Sequence, residues 1–294
     1  MSYLNPITFE GSDAGPSLLI LGAVHGNEPC GHIAIGRVLE LISQKEMNIE
    51  SGRVTFVQTC NPKALELKQR YAESNLNRRL YPKSEPQTYE DHVGNELCPL
   101  LEQADLLLDI HSYRRGGPAF GFISPDQTKE ELALLEYCNV PYGVFGFSDA
   151  YKASNIPVDD KESMGTREYL LTQGGRGITL ECGQHDAPES IEVAYNAILN
   201  VLKGFGFIKG TSSVSKTPLS TISMKSVVYK ERAGQLTRPF QNFEPIKKDE
   251  VLAKYDNGLE VKSPLEGYIV LPDPRPDMPV GEEWLYVGKK VKNN

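Results

Sequence analysis

Leu18-Leu19-Ile20-Leu21-Gly22-Ala23-Val24-His25-Gly26-Asn27-Glu28-Pro29 is the stretch on which the fold turns. A short apolar run ending in glycine reads as an internal strand of a parallel sheet. Pro29 suits the first turn of a helix, where its missing N–H is not needed. Ile33, Ile35, Val38, Leu39 and Ile42 then recur at helical spacing, which predicts a helix over 31–42 packed back on the sheet. His25 and Glu28 are left at the carboxyl end of the strand, where open α/β sheets place their sites. Alone, the pair reads more simply as a buried histidine and a solvated first-turn glutamate favoured by the helix dipole.

Working outward, Val54 to Thr59 is a second strand, ended by Asn61-Pro62 because X-Pro disfavours helix before it. Residues 63–80 are polar with little apolar periodicity and are expected to form a surface loop, of the length that usually carries function. A helix is predicted over 89–103, and a leucine-rich strand over 104–110 closes on Asp109-Ile110-His111. Short strands come next over 118–124 and 140–147, with a helix over 129–138 between them. Residues 149–163 are expected to be an irregular loop near the site, and 163–172 a helix. After the turn signal Gly174-Gly175-Arg176-Gly177, a buried strand over 178–182 again ends in a charged residue, Glu181, and a long amphipathic helix over 188–202 closes the α/β unit. Past a linker-like stretch at 210–215, alternating short segments separated by turn residues such as Asp256-Asn257-Gly258 predict a small all-β module, with Trp284 in its core.

With 294 residues the chain can bury a full core as one large domain or two unequal ones, and the reading divides it into 1–209 and 210–294. A net charge of -8 argues against a general nucleic-acid or anionic-membrane partner, although a few arginines in a cleft would still admit a small anionic substrate. No basic-then-apolar leader and no membrane-length apolar run are found. The five cysteines are scattered and free of C-x-x-C spacing, so they read as reduced, buried thiols of a cytoplasmic protein.

Asp109 and His111 lie two apart on a strand and share a face, so the aspartate can orient the imidazole. With His25 and Glu28 they change the simpler reading, since two imidazoles and one carboxylate are the ligand set of a catalytic zinc site with an open fourth position. Five motifs occur in order: His25 to Glu28 (H-G-N-E), Asn61 to Ala64 (N-P-x-A), Arg70 to Arg78, Asp109 to His111 (D-x-H) and Glu181 to Gly183 (E-x-G). In these the chain resembles the succinylglutamate desuccinylase and aspartoacylase family of the zinc carboxypeptidase superfamily.

The resemblance implies a zinc carboxypeptidase-like fold, a mixed and largely parallel sheet flanked by helices, with a small C-terminal all-β domain over the cleft. It implies that His25, Glu28 and His111 hold one Zn²⁺ per chain, that Glu181 is general base and then acid, and that Arg70 polarises the scissile carbonyl. Asn77 and Arg78 would grip a substrate carboxylate. Amide hydrolysis independently needs such parts: an activated water, charge stabilisation and a proton for the departing amine. The implied substrate is a small anionic N-acyl amino acid, and self-association into a homo-oligomer is left open.

Departures fall on the substrate side. Arg167 is the candidate for a further carboxylate-binding arginine, with Arg176, Arg114 and Arg115 as rivals, but the distance to Glu181 is longer than the family pattern and Ser163 stands where a tyrosine is expected. Tyr268, in Ser263-Pro264-Leu265-Glu266-Gly267-Tyr268, either lines the cleft or is a packed aromatic. His32 and His92 read as structural or surface histidines, and His185, following the Glu181 strand, as solvated, with a reach into the cleft as its alternative. The competing functions are a carboxypeptidase cutting peptide C-termini and a non-catalytic metal-binding relative, against which Glu181 and Arg70 argue.

Overall fold

In the computed structural model, which describes residues 2–114, 117–154, 163–214 and 219–291, the apolar run Leu18 to Leu21 ends strand β2 (Asp13–Leu21). All four of those residues are buried, two facing each side, which is what an uninterrupted apolar strand requires. β2 lies parallel to β3 (Ser51–Val57) and to β4 (Leu106–Tyr113), whose eight residues are all buried. β4 lies parallel to β7 (Arg176–Gln184). β1 (Ile7–Glu10) closes one edge antiparallel to β3. Beyond β7 come β5 (Phe120–Phe122), antiparallel to it, and β6 (Tyr142–Phe145), parallel to β5.

Helices cover both faces. On one side, α1 (Cys30–Ser43), α4 (Lys129–Tyr137) and α7 (Pro188–Gly204) close over Leu18, Ile20, Leu108, Ile110 and Ile178. On the other, α3 (Tyr89–Glu102) and α6 (Thr166–Thr172) close over Leu19, Leu21 and Leu107. Thr88 opens α3 with a reciprocal capping box to Asp91, so this helix starts where its local sequence dictates. The expected loop over 63–80 instead begins with a short helix, α2 (Pro62–Leu67), because Asn61 caps it by accepting from the Ala64 N–H and Pro62 is preset for a first turn. The expected loop over 149–163 likewise begins inside a helix, α5 (Phe147–Ala153), and most of its remainder lies outside the described residues.

The C-terminal residues do two things. β8 (Ser220–Tyr229) pairs parallel with β6 and carries the main sheet onward through β14 (Glu283–Val291), β13 (Gly267–Val270) and β10 (Pro245–Ile246), to eleven strands among the described residues. β9 (Gly234–Leu236), β11 (Val251–Tyr255) and β12 (Glu260–Lys262) form a separate antiparallel sheet. Trp284 is buried between the two, as its sequence context predicts. Among the described residues no helix is long and apolar enough to cross a membrane.

Candidate metal centre

The carboxyl ends of β2, β4 and β7 converge, and the residues that leave them there are the unusual ones. After β2 the chain turns sharply through Ala23, at φ 49°, and delivers His25 and Glu28 ahead of α1. Gly26 in this turn touches the backbone of α2: a Cβ there would lie 2.0 Å from the Ala64 carbonyl carbon, so only glycine fits. That contact explains why the H-G-N-E and N-P-x-A segments occur together. His111 is in register with Glu181 on the neighbouring strand.

His25, Glu28 and His111 are each buried, and one ligand atom from each lies within 4.8 Å of the others. His25 Nδ1 is 3.0 Å from Glu28 Oε1, His111 Nδ1 is 2.9 Å from Glu28 Oε2, and the two Nδ1 atoms are 3.1 Å apart. The outer nitrogens fix the tautomers. His25 Nε2 lies 3.0 Å from Asn75 Oδ1, which also accepts from the Asn77 N–H and is therefore the carbonyl end of the amide. His111 Nε2 lies 3.0 Å from Asp109 Oδ2. Both outer partners are acceptors, so both Nε2 atoms carry protons and both Nδ1 atoms are turned to one spot. Glu181 Oε2 is buried without a hydrogen-bond partner on the strand beside His111, and Asp109 Oδ1, also unpartnered, lies on the far side of that ring. Two inward ring nitrogens and a carboxylate are a donor set that a divalent ion fits.

The electrostatics of the protein alone set the two histidines apart. Burial, with Arg70 assisting, drives the His25 imidazole down to about 4, so it is neutral and free to donate its lone pair. Burial opposes ionisation of Glu28 too, but the two histidines hold it well below the usual carboxylate range. Burial would lower His111, yet Asp109 and Glu28 raise it well above an ordinary imidazole, so a metal ion taking its Nδ1 must displace a proton. Glu181 is raised well above an ordinary glutamate by burial and by the charge of Glu28, with His111 and Arg70 opposing.

Around this centre, Arg70 donates to Glu28 Oε1 at 3.0 Å and is half-exposed at the mouth. Asn77 turns its Oδ1 to the Thr166 N–H at 2.8 Å, while Arg78 is exposed beside it. Tyr268 is half-buried against the aromatic cluster that includes Tyr113, two residues past His111. Arg167 departs from expectation. Its guanidinium is turned to Ser124 Oγ at 3.1 Å, to buried Glu131 at 3.6 Å and to Glu168 at 2.7 Å. β5 runs antiparallel to β7, so Ser124 lies toward the opposite end of the sheet from Glu181, and Arg167 is not brought to the ligands. Arg176 donates to the Gly175 carbonyl, and Arg115 lies outside the described residues. His32 meets Thr59, and His92 stacks on Tyr3, as structural histidines. Of the two readings left open for His185, the structure favours the one near the cleft, since it meets Ser112 beside His111.

Two positioning residues carry no signal in the local sequence. One is Asn75, the partner of His25 Nε2. The other is buried Glu90 on α3, whose carboxylate accepts from the Ala72, Glu73 and Ser74 N–H groups and from Asn61 Nδ2, and so pins the segment between Arg70 and Arg78.

Residues 14–204 match the succinylglutamate desuccinylase/aspartoacylase catalytic domain. The chain belongs to that family. The likeness extends over nearly its full length to a succinylglutamate desuccinylase/aspartoacylase structure from Rhodobacter sphaeroides (TM-score 0.77, 19% identity, 97% of this chain and 89% of that one). It also extends to the product-bound ectoine utilization protein EutE (DoeB) of Ruegeria pomeroyi (0.74, 21%, 97% and 88%). A third relative in fold is the succinylglutamate desuccinylase of Vibrio parahaemolyticus (0.73, 15%, 98% and 92%). No curated protein matches in sequence. Family membership supports a deacylase role and an acyl amino acid as substrate.

Proposed function

We propose that this chain is a zinc-dependent deacylase that hydrolyses the amide bond of a small anionic N-acyl amino acid, releasing a carboxylate and a free amine. The observation that carries the reading is the meeting of His25, Glu28 and His111 at one point with Glu181 in register beside His111. One Zn²⁺ per chain, held by those three side chains, would supply a Lewis acid and bring the pKa of water to near 7.

The remaining work falls to the protein. Glu181 accepts the proton of water as it attacks the acyl carbon, and returns that proton to nitrogen as the C–N bond breaks. Its raised proton affinity suits the second transfer, and its unpartnered oxygen is free for the first. Arg70, at the mouth, donates hydrogen bonds to the carbonyl oxygen as it becomes negative. Arg78 binds the substrate carboxylate with a two-pronged contact, assisted by the amide nitrogen of Asn77. Arg167 has no part in this, since its charge is met by Glu131 and Glu168. Residues 1–209 carry the chemistry, and 210–294 cover the cleft with Tyr268 toward it. The buried, unpaired cysteines suit a reducing cytoplasm.

The test is hydrolysis of a panel of N-acetyl and N-succinyl amino acids, with dipeptides alongside and metal content measured on the same sample. Chelation is expected to abolish turnover and zinc to restore it. Glu181→Gln is expected to keep its metal and lower kcat about 10²–10⁴-fold. Full activity in that variant, or none in the zinc-loaded wild type on any substrate, defeats the reading. A preference for dipeptides makes the chain a carboxypeptidase.

A further inference from the structure

Where β4 and β7 leave the sheet, their pairing is irregular. His111 faces Glu181, but Tyr113 faces Gln184, so two steps along β4 are matched by three along β7. The surplus residue is absorbed at Cys182-Gly183, where Gly183 takes φ +117°, a conformation L side chains rarely adopt. A bulge of this kind re-aims the neighbouring side chain and interrupts the ladder. Here the neighbour is Glu181.

His185 closes the interruption twice. Its backbone N–H donates to the Tyr113 carbonyl at 3.0 Å, and its Nδ1 lies 2.8 Å from Ser112 Oγ. Ser112 is buried, and its own N–H donates to Glu28 Oε2 at 3.1 Å. A single side-chain contact therefore ties the segment that aims Glu181 to the segment that holds Glu28.

We propose that His185 is a positioning residue of the hydrolytic site, acting through Ser112 to fix both the Glu181 bulge and the amide that orients Glu28. The proposal rests on the deacylase reading of the same site. The competing role is direct contact with substrate through Nε2, which forms no hydrogen bond among the described residues.

Two isosteric replacements separate these roles. Asparagine places a carboxamide atom where Nδ1 stands, and glutamine where Nε2 stands. On the wild type's best panel substrate, His185→Ala is expected to lose about 10–100-fold in kcat, with KM little changed. His185→Asn is expected to recover most of that loss and His185→Gln none of it. Ser112→Ala should lose as much, and the double variant no more than either single one. Zinc affinity, titrated with a competing chelator, should follow the same order. Rescue by Gln rather than Asn, a loss confined to KM, additive losses, or an unaffected His185→Ala overturns the proposal. If His185→Ala does not fold, the Asn and Gln pair still decides. If the wild type hydrolyses nothing, the functional reading fails separately, and the zinc affinities alone test the clamp.

Discussion

His25 and His111 present their Nδ1 atoms to a common point because Asn75 and Asp109 engage the opposite nitrogens at 3.0 Å each. An imidazole freed from such a partner can turn or change tautomer, at a usual cost of about 10–100-fold in metal affinity. Asn75→Ala is therefore expected to weaken zinc binding by that factor while leaving the fold intact, and Asn75→Asp, which keeps an acceptor in place, to bind at least as tightly as wild type. Competition titration reads both, and equal affinities in all three proteins would show that Asn75 does not set the tautomer. The His25, Glu28 and His111 cluster is legible in the sequence because its members follow the ends of apolar strands, where a polar residue is conspicuous. Asn75 is not, since its partner is 50 positions away. The surroundings of Arg167 are hidden for a related reason. Its charge is visible in the sequence, but the Glu131 that meets it lies on another helix.

The segment from Arg70 to Arg78 shows what element-forming signals can and cannot disclose. Its polarity marks it as an excursion from the core, yet it is held firmly, because the α3 N-terminus offers Glu90 to three consecutive N–H groups and Thr88 to Ser74. Glu73 completes the tie by accepting from the Tyr89 N–H and pairing with Lys63. The capping box makes α3 predictable to within a residue, whereas α2, only six residues long, depends on the Asn61 cap and carries no periodicity of its own. Removing the Glu90 carboxylate leaves four donors, the Ala72, Glu73 and Ser74 N–H groups and Asn61 Nδ2, without that acceptor, each costing about 1–3 kcal/mol where it is buried. Glu90→Ala is expected to lower Tm, to weaken zinc binding through Asn75 and, with zinc saturating, to raise KM more than it lowers kcat, because Arg78 rather than Glu181 rides on the loosened segment. A fall in kcat at constant KM would show that the segment positions the reacting groups instead.

The change of composition near residue 210 marks a change of architecture, but the sheet is not cut there. β8 pairs with β6 over four positions, and one buried cluster mixes Tyr113, Phe120, Phe122 and Val144 with Ile222, Met224, Val227, Val270 and Tyr286. Local alternation and turn residues foretell the short strands after 210, since those signals lie within a few residues of each other. Pairing of β8 with β6 across that distance leaves no local trace, and neither does the packing of α5 on β8. A chain ending at residue 209 would present β6 as an unpaired edge and uncover the aromatic half of that cluster, which is the combination that drives aggregation. The expected result is that residues 1–209 made alone are recovered as aggregate, or as a soluble form that binds hydrophobic dye and lacks a cooperative melt. Recovery of a monomer with a sharp thermal transition would show instead that the first part closes its own core, and that the later strands were added to a fold already complete.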